Sequence, residues 1–413
     1  MPPITAPAKL DGPGLGSPRR TRGALALVTV IMLMDIVGLS LLSPVAAFIV
    51  QRYSPRALDV TLITVLYAAA QFLSAPLMGK LGDRFGRRPV LLISVAGQGL
   101  SYLVFGLGGA LWVLFASRLV GGITGGNLST ANAYIADVSE PHERTRNFML
   151  IGLAWSIGLI CGPALGALLG QLSLQAPAFA AAALALVNVL LGLVWLPESL
   201  PPERRRAEPV RFGDLNPLPA IAGMAQRPGL GRLLLGLSLF TFAFNGINST
   251  ATLFVIDKFS AQPWQTGLLL GLAGLALGIE QFWVVERLVA RHGERRIAIL
   301  SLLAQTVFNA AVFWAPAMAL IYPLNMALAA ASGLTFPTLT TLATDLVPSA
   351  DVGLLLGVTT ALSSLTNIVG PLWAGAVYDR LGVGTPYWMG ALIFVLAAVV
   401  LAGPSAAPPA RPG

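Results

Sequence analysis

The segment GKLGDRFGRRPV, Gly79 to Val90, decides the fold, because it is a short charged run between two long apolar stretches. It is far too short to form a domain, so we interpret it as a tight turn at a membrane surface. A degraded copy, ERLVARHGERR, occurs at Glu286 to Arg296, and Gly293 there corresponds to Gly86 at an offset of 207 residues. The chain is therefore predicted to be duplicated, with a bundle of membrane helices as the repeated unit.

The composition agrees with a membrane protein. Of the 413 residues, 55% are hydrophobic and only 11% are charged, and the mean hydropathy is +0.76. Soluble domains carry about a quarter of charged residues, and a spanning helix needs about 20 apolar residues. The sequence predicts an all-α membrane protein with twelve such helices. They begin near Ala24, Leu58, Pro89, Ala110, Asn147, Ala176, Leu233, Trp264, Arg296, Ala317, Gly353 and Thr385.

A second internal match supports two related bundles of six helices. Asp137 precedes the pair Gly162-Pro163 by 25 residues, and Asp345 precedes Gly370-Pro371 by the same interval. The offset between these matches is 208 residues, close to that of the charged turns, so one duplication explains both. The predicted division is a cytoplasmic tail at 1–23, a bundle at 24–196, a cytoplasmic linker at 197–231, a bundle at 232–402 and a cytoplasmic tail at 403–413.

Positive residues divide unequally between alternate loops. If the N-terminus is cytoplasmic, 21 of the 26 Lys and Arg residues fall in inner loops and tails. The four outer ones are Arg52, Arg56, Lys258 and Arg380, and Arg118 lies within a predicted helix. This asymmetry predicts a multi-pass protein of the inner cell membrane with both termini in the cytoplasm. The net charge of +8 then anchors the protein to anionic lipid, and we expect no nucleic-acid partner.

Metal and redox chemistry find no support. The single cysteine, Cys161, lies in a predicted helix, and His142 and His292 fall in polar turns without a ligand cluster. No nucleophile–base constellation occurs at membrane depth. We expect no enzyme activity, no cofactor and a monomer whose partners are a small-molecule substrate, protons and the lipid bilayer.

Three ionisable residues fall inside predicted spans: Asp35, Arg118 and Glu280. A charge at a helix centre costs about 2.5–3.5 kcal/mol on insertion scales, so such residues usually face a water-filled cavity or a partner. Asp35 lies about 16 Å past the start of the first span, near mid-bilayer. We predict that all three contribute to proton coupling, and that Asp35 and Glu280 also contact substrate.

Purely structural roles remain open for these charged residues. Arg118 can lock two helices by binding carbonyls or a carboxylate, and Glu280 can extend to the membrane interface. Uncharged polar residues at helix depth are most often interhelical hydrogen bonds. We nevertheless predict that Asn127, Asn245 and Gln281 bind substrate.

Two sets of residues are predicted to act in gating. The first is the charged turn, where Asp83 can pair with an Arg and meet the positive end of a neighbouring helix in one state only. The second is the small-residue face of the fifth helix and its copy, where helices can approach closely and which we predict to form the moving interface between the halves, with Pro163 and Pro371 as bends. Topology anchoring and plain helix packing are the alternatives. The predicted gating residues are Gly79, Asp83, Arg84, Gly86, Arg87, Arg88, Gly158, Gly162, Pro163, Gly370 and Pro371.

These motifs resemble those of the major facilitator superfamily, specifically its twelve-helix drug:proton antiporters of the tetracycline-exporter type. The similar positions are Gly79 to Arg88 in the loop after the second helix, Arg118 and Gly122 in the fourth, Gly158, Gly162, Pro163 and Gly166 in the fifth, and Asp35, Gly38 and Pro44 in the first. The resemblance spans essentially the whole chain. It implies the major facilitator fold, with two pseudo-symmetric six-helix bundles.

The resemblance also implies roles and departures. In that family the first-helix acid and the fourth-helix Arg act in proton coupling and substrate handling, which points to Asp35 and Arg118. Tetracycline carriers have acids in the third and ninth helices where this chain has Ser101 and Gln305, so these departures argue against tetracycline as cargo. Glu280 lies outside the shared pattern and is expected to shift selectivity toward cations.

The expected function is proton-driven export of amphipathic small molecules or drugs by alternating access, and hence antibiotic resistance. Asp35 would release a proton inward as the drug is loaded and regain one from outside as the drug leaves. Two alternatives remain. One is a proton-coupled sugar or metabolite transporter of the same fold, and the other is a membrane enzyme or receptor.

Overall fold

Helices make up nearly all of the computed structural model, which describes residues 18–140, 142–205, 218–348 and 351–403. No strand occurs in these four ranges. The helices are α1 (Pro18–Leu41), α2 (Ala46–Gln51), α3 (Ala57–Phe85), α4 (Arg87–Leu107), α5 (Leu111–Thr124), α6 (Asn127–Val138), α7 (Arg144–Leu172), α8 (Ala176–Trp195), α9 (Leu218–Ala225), α10 (Leu230–Phe259), α11 (Pro263–Trp283), α12 (Val285–His292), α13 (Glu294–Trp314), α14 (Met318–Thr344), α15 (Val352–Leu381) and α16 (Thr385–Ala402).

These helices account for the twelve predicted crossings. Ten helices in the described ranges are long and apolar enough to span a membrane, and α11 with α12 forms one further span that bends by 51°. Helices α5 and α6 follow each other with only Gly125 and Gly126 between them, and together they form the fourth crossing. Eleven of the twelve predicted starts lie within three residues of an observed helix start, which confirms the all-α membrane fold.

The two tails and the linker are only partly described. Residues 1–17, 206–217 and 404–413 of those segments lie outside the described ranges. Helix α1 already begins at Pro18, inside the predicted tail, and α9 lies inside the predicted linker. The boundaries of the two bundles therefore stay predictions.

The packing of the helices repeats in the two halves of the chain. In the first half the main contacts pair α1 with α7, α4 with α8, and α3 with α5. In the second half they pair α10 with α15, α13 with α16, and α11 with α14. These are the same pairs when crossings are numbered one to six in each half. The duplication seen in the turns thus extends to the helix contacts.

The fourth crossing is interrupted because α5 ends at two glycines. Backbone carbonyl groups near this end accept hydrogen bonds from side chains of α3. The amide of Gln71 donates to the Gly125 carbonyl at 2.8 Å, and the Ser74 hydroxyl donates to the Gly122 carbonyl at 3.0 Å. Within a membrane a broken helix is tolerated only when its freed backbone groups are bonded in this way. The break places Asn127 at the first turn of α6.

The two bundles meet along α7 with α11 and along α3 with α15. Hydrogen bonds across this seam occur at the outer end, meaning the end whose loops are predicted to face outward. The Asp379 carboxylate accepts from the backbone amides of Ala57 and Leu58 at 2.7 and 3.0 Å. Nearby, Thr266 donates to the Pro44 carbonyl at 3.0 Å. The outer ends of the bundles are therefore held together in this structure.

The small-residue face of α7 packs inside its own bundle. Gly158, Gly162 and Gly166 lie against Ile36, Ser40 and Leu41 of α1, where an added Cβ would clash. The spacing of the glycines correctly indicates a close helix approach, but it does not place these glycines at the interface between halves.

The copy of this face behaves in the same way, because Gly370 lies against the backbone of Phe242 and Gly246 in α10. The seam uses a different face of α7. The backbone carbonyls of Leu159 and Pro163 there lie against Gly274 and Gly267 of α11. Helices α7 and α15 do border the seam, and they contain Pro163 and Pro371. Their gating role stays a prediction.

Candidate transport site

The first buried acid belongs to the first bundle. Asp35 of α1 is half-buried, and its Oδ2 accepts a hydrogen bond of 2.7 Å from the side-chain amide of Asn127. Asn127 is only 4% exposed and is held at the start of α6 by the break in the fourth crossing. A neutral amide can stabilise the carboxylate without cancelling its charge, so Asp35 stays available to exchange a proton.

Arg118 lies in the same bundle but does not pair with Asp35 through any bond that the structure shows. Its guanidinium carbon lies 4.4 Å from the ring centroid of Phe105 and 5.7 Å from that of Tyr102. The side chain is 5% exposed, and its Nε and Nη2 have no hydrogen-bond partner among the described residues. Arg118 is thus a buried cation on aromatic faces, and the alternative of a lock onto carbonyls or a carboxylate does not hold for these two nitrogens.

Polar residues that the sequence did not single out complete this cluster. The Tyr67 hydroxyl accepts a hydrogen bond of 2.9 Å from the Gln98 amide. Tyr67 is also near enough to both Asp35 and Arg118 to interact electrostatically with each. Tyr67 and Gln98 come from α3 and α4, and their convergence follows from bundle packing rather than from a motif.

The second buried acid, Glu280 of α11, lies in the other bundle. It is 3% exposed, and neither carboxylate oxygen has a hydrogen-bond partner among the described residues. Its Oε2 occupies the space where a Cβ would lie on Gly333 of α14. The alternative of a carboxylate extended to the interface is therefore wrong, since the group is enclosed between two helices.

A cavity of about 440 Å³ lies beside Glu280, within the size range of small-molecule sites. Leu277 and Gly333 form part of its wall, and the Glu280 carboxylate lies against Gly333. The cavity combines phenyl rings with hydroxyl and amide groups. Its lining residues are Phe240, Thr241, Phe244, Asn245, Leu277, Ser332, Gly333, Phe336, Thr360, Ser363, Ser364 and Asn367.

The predicted substrate residues of the second half separate in the structure. Asn245 lines the cavity, and so does Asn367 from α15. Gln281 does not line it and has an exposed side chain. It lies three residues past Gly278, which faces Ile160 of α7, so it continues the seam-facing stripe of α11.

The two positions where the resemblance implies acids in tetracycline carriers hold neutral hydrogen-bonded residues here. Ser101 donates to the Ser117 carbonyl at 2.7 Å. Gln305 is fully buried and donates to the Thr335 hydroxyl at 2.8 Å. These groups tie neighbouring helices together rather than carrying charge into the membrane.

The charged turn after α3 forms an ion-pair network around Arg87. Its guanidinium contacts Asp83 at 2.6 Å and Asp137 of α6 at 3.2 Å. Its backbone amide donates to Glu198 at 2.8 Å, so a carboxylate caps the start of α4. Gly86 makes the turn with φ +104, a conformation that favours glycine. Asp83 thus pairs with an Arg as predicted, but Glu198 rather than Asp83 meets the helix end.

The remaining turn residues have separate contacts. Arg88 donates to the Leu193 carbonyl of α8 at 2.5 Å, and the Gly79 carbonyl accepts from Arg87 at 3.4 Å. Arg84 lies over the Phe85 ring at 5.3 Å. The sequence missed Glu198 and the pairing role of Asp137, since both come from distant segments.

Comparisons with known proteins agree with this architecture. A family model of the Major Facilitator Superfamily matches residues 27–284 and 233–413. The chain belongs to the major facilitator superfamily. The class C tetracycline resistance protein of Escherichia coli is 33% identical over 390 residues, which are 92% of this chain and 96% of that relative. The predicted family and its tetracycline-type relatives are therefore confirmed.

Solved structures give the same fold. The human organic anion transporter MFSD10 (TETRAN) has a TM-score of 0.68 and 26% identity, covering 92% of this chain and 99% of that one. A bacterial homolog of the human lysosomal transporter Spinster has a TM-score of 0.74 at 16% identity, covering 94% and 97%. This chain is a multi-pass membrane transporter of the superfamily.

Proposed function

We propose that this transporter exports amphipathic small molecules in exchange for protons across the inner cell membrane, with both termini in the cytoplasm. The observation that carries the proposal is the bond between Asp35 and Asn127 in the membrane-spanning part of the first bundle. A half-buried carboxylate whose partner is a neutral amide can accept and release a proton without breaking an ion pair. Arg118, whose Nε and Nη2 have no partner among the described residues, adds a fixed positive charge to the same bundle.

The transport cycle follows from the way the bundles meet. The outer ends are joined where the Asp379 carboxylate of α15 accepts hydrogen bonds from the first amides of α3. This supports a state in which cargo reaches the site from the inside. Cargo loading from the cytoplasm is then coupled to release of the Asp35 proton inward. Rocking of the bundles breaks the outer contacts, cargo leaves, and Asp35 takes a proton from outside.

The charged turn is proposed to bias this rocking. Arg87 ties the inner end of α3 to α6 through Asp83 and Asp137, and Glu198 fixes the start of α4. These bonds make the inner end of the first bundle one rigid unit that moves as a whole. Topology anchoring by the basic residues operates at the same time.

A second candidate is export of an organic anion. It is favoured by the unpartnered Nε and Nη2 of Arg118 and by the structural similarity to the human organic anion transporter MFSD10. Under this alternative Arg118 binds the cargo carboxylate or sulfonate directly.

Transport in proteoliposomes tests the proposal. The purified protein is reconstituted and given an inward or outward pH gradient with ethidium, tetracycline, chloramphenicol or fluorescein as cargo. We expect at least one amphipathic compound to accumulate against its own gradient, and a protonophore to abolish this accumulation. Movement of every compound only down its gradient, with no effect of the pH gradient, would contradict proton exchange. Uphill movement of fluorescein alone would favour the anion alternative.

A further inference from the structure

We infer that Glu280 and the cavity beside it form a binding site for lipophilic organic cations, with the positive group of the ligand paired to the Glu280 carboxylate. This inference deepens the proposed function, and it rests on that function only for the transport step. Nothing in the comparisons assigns a role to this residue, and the position lies outside the motifs that this chain shares with the tetracycline exporters.

The first observation that supports this site is that the Glu280 carboxylate is buried without a compensating group. Both oxygens of Glu280 are buried and lack hydrogen-bond partners among the described residues. A buried carboxylate without a partner is strongly destabilising, and protonation leaves a hydroxyl donor and a carbonyl acceptor still unsatisfied. A bound cation compensates the buried negative charge, and one that carries N–H groups also donates hydrogen bonds to the oxygens.

The second support is that the fold reserves space for this group. Position 333 is a glycine, and any larger residue there would place its Cβ on Glu280 Oε2. Gly333 also lines the cavity, so the carboxylate lies directly behind one wall of the cavity. A small movement of α14 relative to α11 then brings the carboxylate into contact with a ligand.

The third support is the chemistry of the cavity. Phe240, Phe244 and Phe336 offer aromatic faces, which attract both an apolar body and a cation. Asn245 of α10 and Asn367 of α15 offer hydrogen bonds from two neighbouring helices. None of the twelve residues that line the cavity is a Lys, Arg, Asp or Glu, so the lining itself offers a ligand no formal charge, and the Glu280 carboxylate lies against one lining residue, Gly333. These features fit a ligand with an aromatic body and one positive centre.

Equilibrium binding to the full-length protein in detergent tests this site without a pH gradient. The probes are tetraphenylphosphonium, which is permanently charged, and triphenylphosphine oxide, which has similar aromatic bulk but no charge. We expect the Glu280→Gln protein to bind tetraphenylphosphonium about tenfold more weakly or worse, as expected when one member of a buried charge pair is lost. Binding of the neutral probe should change less than about twofold, and Glu280→Asp should recover part of the cation affinity.

Matched variants separate recognition from folding and from proton exchange. Glu286→Gln makes the same chemical change on the exposed surface of α12 and should bind both probes like the wild type. The binding measurement involves no pH gradient and no cargo movement, so a failure of proton exchange leaves this result unaffected. The inference is overturned if the wild type does not bind tetraphenylphosphonium, if Glu280→Gln binds it normally, or if that variant loses both probes equally.

Discussion

Asp35 in the first bundle and Glu280 in the second are the two acids that the sequence places inside predicted spans, and their surroundings in the structure are opposite in character. Asp35 is half-buried and bonded to Asn127, beside Tyr67 and Arg118. Glu280 is enclosed, has no partner, and lies behind a cavity wall. A hydrogen-bonded, partly accessible acid suits proton exchange, whereas an enclosed and unsatisfied acid suits a ligand that brings its own charge. Under the two proposals above, the first bundle carries the proton site and the second the cargo site.

The charged turns show a similar divergence. Around Gly86 the first copy builds a network through Arg87, whereas α12 in the second copy has no buried residue. Gly293 nevertheless keeps the positive φ of its counterpart, +77 against +104. The backbone of the duplicated turn is retained, and so is one contact to the last helix of each bundle, because Arg88 donates to the Leu193 carbonyl and Arg295 to the Leu401 carbonyl. The ion pairs through Arg87 belong to the first turn.

The largest expected effect comes from Asp35→Asn, which keeps the shape of the side chain and removes its exchangeable proton. Proton-driven accumulation of cargo should fall by about two orders of magnitude or more, the scale for loss of a positioned proton-transfer group. Uptake into proteoliposomes under a pH gradient measures it. Asp59→Asn is the matched control, because Asp59 accepts a hydrogen bond from Ser54 at the outer start of α3. The Asp59→Asn protein should transport normally.

A smaller effect is expected from Gly333→Ala, which tests the Glu280 site in the second bundle. The added methyl group displaces Glu280 Oε2, so the KM for transport of a cation should rise about tenfold while neutral cargo is little affected. Gly353→Ala, at a position with open space around it, is the control. Equal losses for cationic and neutral cargo would indicate a general packing defect and would remove the distinction between the two acids.

Asn127→Ala tests the support of Asp35 rather than the acid itself. Loss of a hydrogen bond to a charged group, worth about 1.5–3 kcal/mol, should slow proton-coupled exchange about tenfold. Exchange of labelled for unlabelled cargo needs no proton transfer and should be slowed less than coupled transport, the remaining loss being the part that Asn127 contributes by binding cargo. An Asn127→Ala protein with unchanged coupled transport would show that the amide does not tune Asp35.

The smallest effect concerns stability and compares the two turns. Arg87→Ala breaks contacts to Asp83 and Asp137 and should lower the free energy of unfolding by about 1–3 kcal/mol. Arg291→Ala, on exposed α12, should change it by less than about 0.5 kcal/mol. Thermal unfolding in detergent checks both variants, and equal shifts would refute the asymmetry between the turns.

The fold could be predicted from the sequence because its signals are local. Apolar length gives each crossing, and the two charged turns give the repeat, with Gly86 and Gly293 at equivalent breaks. The interruption of the fourth crossing was not predicted, although Gly125 and Gly126 mark it, because glycine in a membrane helix serves packing as often as it ends a helix.

The site could be predicted only in part, because contacts between helices depend on distant residues. The spacing of Gly158 and Gly162 shows that a helix approaches α7, but not that this helix is α1. Glu280 is enclosed because Gly333 of another helix leaves space for its carboxylate. Gln281 is exposed although it follows Gly278, which faces α7. Asp35 could be singled out because a charge at mid-bilayer is costly wherever its partner lies.

The exchange of a proton at Asp35 is tested most directly by comparing two kinds of flux in Asp35→Asn proteoliposomes, with a cargo that the wild type moves uphill. A pH-sensitive dye follows proton movement, and labelled cargo follows counterflow. We predict that the variant retains counterflow but moves no protons when a cargo gradient is applied. Proton movement that still accompanies cargo in this variant would contradict a coupling role for Asp35 and transfer it to Glu280.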